Sequence, residues 1–255
     1  KDYFDKTDNW IYGRGLNADS DNPDFVPSRL IKTECIERYF TDPDTSTQSN
    51  TKFYRKNNEQ LFYPPFVIFK EGQHNTEIAC SLFEKKRYCT TGAFIINTTD
   101  EKLDEKKFLV SYLNSDIAKY ILFLTASSWG IERERVLLNE LLELPSPFFS
   151  IDSDILKNIA NAFDKIVLLK KSVICNDAKI KEQEQYIFNE FIKHFSLSDR
   201  EVALIEDTMS SKENYVDGII RVYNNDICDV IDNYNCSAFY EPSYVIARAY
   251  QNGGF

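Results

Sequence analysis

Short apolar runs separated by polar turns dominate the stretch from Pro65 to Asn97. Pro65–Lys70 ends in Glu71-Gly72, Ile78–Phe83 and Arg87–Thr90 follow, and Ala93–Asn97 closes the series. The runs are rich in β-branched and aromatic residues, and the gaps between them are of turn length. Both features predict a mostly antiparallel sheet. Residues 1–25 are polar and aromatic, with one short strand expected at Trp10–Tyr12. In the segment RLIKTECIERYF, apolar residues fall at 30, 31, 35, 36, 39 and 40, a spacing more helical than alternating. Residues 41–52 are small and polar and read as a loop.

Beyond the sheet the period changes. Thr98-x-x-Glu101 has the form of a capping box. After it, Leu109, Leu113, Ile117, Tyr120, Ile121 and Leu124 form a stripe at three- to four-residue spacing, widened by Phe108, Tyr112 and Phe123. This predicts one helix buried on more than one side, ended by Ser127-Ser128-Trp129-Gly130. Arg135–Leu138 and Leu142–Leu144 are each expected as a short strand or a turn of helix, before Pro145 and Pro147 close the body. From Asp154 the apolar residues recur at 155, 159, 162, 166, 169 and 173, and again at Ile180, Ile187 and Phe191. That is a heptad seam with polar Asn176 and Gln183 at inner positions. It is read as a coiled-coil arm over 154–192, roughly 55 Å long at 1.5 Å per residue, or as two helices broken at Cys175-Asn176-Asp177. A second capping box, Ser198-x-x-Glu201, opens a short amphipathic helix. Residues 213–255 are acidic and fit strands or a helix equally. The expected fold is therefore α+β: a small twisted, mostly antiparallel sheet with a packed apolar helix, then a long helical spacer. The expected divisions are a body over 1–150, a spacer over 151–212 and a tail over 213–255.

Composition narrows the picture. With 255 residues and 43% hydrophobic positions, the chain suits one sizeable core plus an appended element, or two small domains. It begins at Lys1 and its only methionine is Met209, so it is read as a piece of something longer or as processed. The first residues lack the apolar core of a signal peptide. The most apolar run, Tyr112–Ala126, is interrupted by Asn114, Asp116 and Lys119, so no membrane span is expected. Six cysteines without a Cys-x-x-Cys pair fit a reduced, cytoplasmic protein. The net charge of −10 argues against indiscriminate nucleic-acid binding. The charge is uneven, however. Residues 52–90 carry seven Lys/Arg against four Glu, whereas residues 213–255 carry two Arg against six acids. A basic face on an acidic body fits a selective polyanion contact.

Four patterns bear on chemistry. Tyr63-Pro64-Pro65-Phe66 approaches the Asp/Asn/Ser-Pro-Pro-aromatic motif with which adenine amino-methyltransferases hold a flipped base, but Tyr63 brings neither carboxamide nor carboxylate. Gly13-x-Gly15 lacks the surroundings of a nucleoside-cofactor loop, and a proline pair leading into an edge strand is the simpler account. Glu84-Lys85-Lys86 matches half of a metal-dependent nuclease signature, with acidic candidates only at 42 and 44. Cys80 and Cys89 are expected as buried strand residues, and no metal site is assigned. The fourth pattern is cationic and polar. Lys52, Arg55, Lys56, Lys70, Gln73, His74, Lys85, Lys86 and Arg87, with Ser127, Ser128, Trp129, Arg133 and Arg135, can hold phosphates and base edges. Two adjacent turns of an antiparallel sheet are expected to bring residues 70–74 near residues 85–87. A plain surface reading instead pairs Arg133 and Arg135 with Glu132 and Glu134.

The order PPFVIFKEGQ, strands, SYLNSDIAKYIL, a Ser/Gly break, LLELPSP and a long helix resembles the target recognition domain of bacterial adenine-N6 DNA methyltransferases of type I and type IIG-like restriction–modification systems. The trailing LSDREVALIEDT is similar to the helical tail of such domains, and the resemblance covers about residues 10–210. It implies a DNA-reading module with no catalytic residue and no cofactor-binding residue of its own. It further implies that S-adenosylmethionine is bound by a catalytic domain N-terminal to Lys1 or on a partner subunit. The implied partners are double-stranded DNA, that catalytic domain or subunit, and a helix docking along 154–192. The other reading is a non-enzymatic helical assembly protein.

Overall fold

The computed structural model describes residues 9–16, 29–46, 59–72, 78–126, 135–148, 151–172 and 176–209. It divides into two units, Lys1–His194 and Phe195–Phe255. The first unit is α+β. Among its described residues, six strands, β1 (Trp10–Arg14), β2 (Leu30–Ile31), β3 (Phe66–Lys70), β4 (Cys80–Phe83), β5 (Tyr88–Cys89) and β6 (Ala93–Thr98), form two sheets. The larger has the order β1-β6-β3-β4 and is antiparallel throughout, while β2 and β5 pair in parallel.

The central strands are apolar without alternation because both faces of the larger sheet are covered. Phe66, Val67, Ile68 and Phe69 are all buried, as are Phe94, Ile95 and Ile96. Successive strand residues point to opposite faces. One face, carrying Phe66, Ile68, Phe83 and Ile95, packs with Ile31 and Cys89 of the small sheet and with Leu61 and Phe62. The opposite face, carrying Val67, Phe69, Phe94 and Ile96, is covered by helix α1 (Leu103–Asn114), which lies against β3 and β4. Phe108 of α1 meets Phe148, which in turn meets Trp10 of β1.

The stripe expected as one helix is two. Helix α1 ends at Asn114, and α2 (Asp116–Thr125) begins after Ser115, whose backbone is extended. Ser115 Oγ donates to Tyr112 O at 2.6 Å and accepts from Ala118 N at 3.3 Å, so it closes one helix and caps the next. The capping box expected at Thr98 does not form: Thr98 Oγ1 donates to Asp100 O, and α1 starts only at Leu103, with Lys102 before it and no side-chain cap. Residues 29–40 are not helical either. They hold β2, a short 3-10 turn at Thr33–Cys35 and an extended run in which Tyr39, at φ 65°, bridges Ser81. Backbone hydrogen bonds to β4 outcompete the local spacing there: Tyr39 N donates to Cys80 O at 2.7 Å.

Helix α3 (Leu138–Glu143) precedes a helical pair, α4 (Ser153–Lys171) and α5 (Asp177–Phe195). The interruption before Asp177 makes this two helices, the second of the two expected arrangements, so no single 55 Å arm exists. Seam residues Ile159, Ala162, Ile166, Ile180, Ile187 and Phe191 are buried within the chain. Phe191 packs edge-on against Phe108 and Tyr112 of α1. Asn158 on α4 donates to Glu190 on α5, and Lys107 on α1 reaches Asp164 on α4 at 2.6 Å. In the second unit a helix spans 199–209. There the Ser198–Glu201 capping box forms as expected, with Ser198 N donating to Glu201 Oε2 at 2.8 Å. No helix among the described residues is long and apolar enough to cross a membrane.

Candidate nucleic-acid interface

At the end of β3 the chain turns through Glu71 and Gly72, and the turn is built around a buried carboxylate. The Glu71 side chain is 4% exposed. Its Oε1 accepts from Arg135 Nε at 2.8 Å, from Arg135 Nη2 at 2.6 Å and from Arg14 Nη2 at 3.4 Å. Both arginine side chains stay nearly half exposed, at 43% and 45%. The Glu71 backbone is equally committed: its N donates to Gly92 O and its O accepts from Val136 N. Gly72 forms an isolated antiparallel bridge with Arg135. A buried carboxylate is costly unless paired and hydrogen-bonded, and here charge-assisted bonds supply the pairing.

A second sector lies at the opposite end of the β3–β4 hairpin, where Phe83 faces Phe66. Lys86 Nζ donates to Glu59 Oε1 at 2.8 Å and sits over the Tyr63 ring at 4.6 Å from its centroid. The hydrogen bond to Glu59 raises the Lys86 pKa and outweighs the opposing effect of burial. Arg87 Nε donates to Pro43 O, and both Arg87 and Lys85 approach Asp44, at 3.8 and 3.7 Å. Glu84 pairs with Lys171. The cations of this turn are thus matched by Asp44 and Glu59, which flank the stretch 47–58.

The Tyr63-Pro64-Pro65-Phe66 stretch frames a buried polar network. Lys106, 2% exposed, donates from Nζ to Pro65 O at 2.6 Å and to Asn97 Oδ1 at 2.7 Å. Asn97 Nδ2 in turn lies within bonding distance of Gln60 O, Leu61 O and Tyr63 O, at 2.9, 3.3 and 2.8 Å. Burial lowers the Lys106 pKa to about 8, because both partners are neutral. These groups hold the proline pair against β6 and α1. The pair leads into β3, which is an inner strand between β6 and β4 and not the edge strand expected; both prolines precede Phe66, the first strand residue, so no ladder donor is lost.

Of the residues expected to face DNA, Lys70, Lys85, Lys86, Arg87 and Arg135 are described. Lys52, Arg55, Lys56, Gln73, His74, Ser127, Ser128, Trp129 and Arg133 lie outside the described residues. One expected juxtaposition is corrected. Residues 70–72 and 85–87 lie at opposite ends of β3 and β4, because consecutive turns of an antiparallel meander alternate between sheet ends. Arg135 has a described partner in Glu71, 64 residues away in sequence, while Glu132, Arg133 and Glu134 lie outside the described residues. Arg14 and Glu71 were missed as site residues. No local signal connects them to Arg135; only the antiparallel β1–β6–β3 register brings them together. Cys80 and Cys89 are buried free thiols. Burial pushes the Cys89 thiol up to about 12 and raises Cys80 likewise, which removes both as nucleophiles at neutral pH. Among the described residues, no group of three or more His, Cys, Asp or Glu side chains is arranged to hold a metal ion. No protein-family model matches the chain, and no curated protein sequence matches it.

Proposed function

We propose that the chain is a DNA sequence-recognition module of an adenine-N6 DNA-modification enzyme, which holds duplex DNA for a catalytic domain or subunit. The single observation that carries this reading is the Gly72–Arg135 bridge. It sets Arg135, read as DNA-facing, beside the turn that follows Lys70, also read as DNA-facing, at one end of the larger sheet. The second sector, Lys85–Arg87, stands at the other end of β3. The four steps of β3 span roughly 13 Å at about 3.3 Å each, and both sectors lie beyond its ends, so they would meet separate parts of a duplex. Charge matching by Asp44 and Glu59 keeps the second sector from acting as an indiscriminate polyanion trap. S-adenosylmethionine belongs, in this reading, to the catalytic partner. Ile159, Ala162, Ile166, Ile180, Ile187 and Phe191 of the helical seam are buried within the chain, which weakens the assembly reading.

Selection of bound duplexes from a randomised library tests the reading. Enrichment of a defined site, with affinity that falls as salt rises, is expected. Binding that is absent, or neither salt-dependent nor sequence-selective, would overturn it.

A further inference from the structure

Tyr63 is the most exposed aromatic among the described residues, at 49%, although the backbone that carries it is tied to the core. We propose that its ring is a stacking platform for an unpaired nucleobase in opened duplex DNA, with Lys86 as the residue that positions the ring. The proposal rests on the recognition-module reading above and adds Tyr63 to it.

Three features carry the inference. The first is a fixed mount. Tyr63 N donates to Gln60 O at 3.2 Å, and Tyr63 O accepts from Asn97 Nδ2 at 2.8 Å. Phe62, just before it, is 1% exposed, with its ring 4.8 Å from that of Tyr88. Pro65 O, just after it, accepts from buried Lys106. A side chain on such a mount has less freedom to lose when a ligand arrives. The second feature is the neighbour. Lys86 Nζ stands 4.6 Å from the centre of the Tyr63 ring and is itself held by Glu59 at 2.8 Å. A cation over an aromatic face is attracted to it, so Lys86 fixes the tilt of the ring. Pro64 is exposed as well and extends the apolar surface beside it. The third feature is the chemistry of the proposed reaction. The target adenine leaves the stack to be modified, and the base opposite is then left without a partner. Every base has a π face, and a protein aromatic stacks on it with little regard for sequence. Tyr63 therefore favours opened duplex, while the cationic sectors hold the paired part.

The test uses the 255-residue chain and duplexes carrying the site selected from the randomised library. One duplex is fully paired, and in the others an abasic position replaces each adenine of the site in turn. The best-bound abasic duplex is expected to bind about 10-fold more tightly than the paired one. The ratio of the two affinities is the readout, because phosphate contacts common to both cancel in it. Tyr63→Ala is expected to stay folded, since the ring is half exposed, and to bring the ratio close to one. Tyr63→Phe keeps the ring and is expected to keep the ratio, and Lys86→Gln to lower it with no change in denaturation midpoint. An unmodified chain with no abasic preference, or a Tyr63→Ala protein that retains it, overturns the platform and leaves the recognition reading standing. A ratio untouched by Lys86→Gln overturns the positioning role of Lys86. If the unmodified chain binds no duplex at all, platform and recognition reading fall together.

Discussion

Asn114 shows how one side chain can join two layers. It is fully buried at the end of α1, where its Oδ1 accepts from Cys80 N at 3.2 Å and its Nδ2 donates to Cys80 O and Val110 O. It satisfies the backbone of edge strand β4 where sheet pairing stops, which also blunts that edge. Asn114→Ala would leave Cys80 N buried without this partner. A loss of about 1–3 kcal/mol is expected from chemical denaturation, whereas Asn114→Asp, stripped of the donor, is expected to be no better. Lys106 makes a pH-dependent contribution. Its pKa is lowered to about 8 in the fold, against 10.5 when unperturbed. Between those values the unfolded chain binds the extra proton, so this group makes stability rise with pH across that window. Below about pH 8 the lysine is charged in both states and its burial cost is fully present. Denaturation of Lys106→Met from pH 7 to pH 10 is expected to lack this rise relative to the unmodified chain. An identical pH profile in the two would exclude the buried-amine account.

Among the elements, the α1–α2 break and the α4–α5 pair define the helical layer. Ser115 stops one helix and starts another within a stretch whose apolar spacing is continuous. Ser115→Ala removes the cap of α2 and is expected to cost about 1 kcal/mol, read as a lowered denaturation midpoint. Phe191 anchors α5 against Phe108 and Tyr112. Phe191→Ala is expected to cost about 3–5 kcal/mol and to raise amide exchange in α5 more than in β3 or β6. Equal exchange throughout would mean that the two layers unfold as one. Buried Glu190 strengthens the same joint. Burial raises its pKa, but hydrogen bonds from Lys193 and Asn158 outweigh that effect and leave the carboxyl below its usual value. Its contribution is therefore present at neutral pH and fades as acid protonates it through that lowered pKa.

Across the first unit, the clasp on Glu71 ties the end of β1, the turn before β6 and the segment leading to α3 into one joint. Glu71→Gln keeps the shape but removes the charge that orients both arginines. A stability loss of about 1–3 kcal/mol is expected, read as a lowered midpoint in chemical denaturation. The charge argument also places the acidic excess. The −10 total coexists with local cationic sectors because acids such as Asp44 and Glu59 sit beside the cations they moderate. Steering by such a molecule depends on where the charges lie, not on their sum.

The strands at 66–70, 80–83, 88–89 and 93–98 were legible because short β-branched and aromatic runs between turns carry their own signal. The helical seam was legible for the same local reason, and so was the Ser198 cap. Residues 29–40 misled because their apolar spacing is helical, while the hydrogen bonds that decide their path come from β4, some 40 residues away. Only the tertiary structure could place residues 70–72 and 85–87 at opposite sheet ends. It alone turned the heptad seam inward onto α1 and brought Arg14 and Arg135 to one carboxylate. Periodicity and propensity are properties of neighbours in sequence, so the sequence determined the elements and their apolar faces. Register and burial pair residues that are distant in sequence, so the candidate site was decided by the fold.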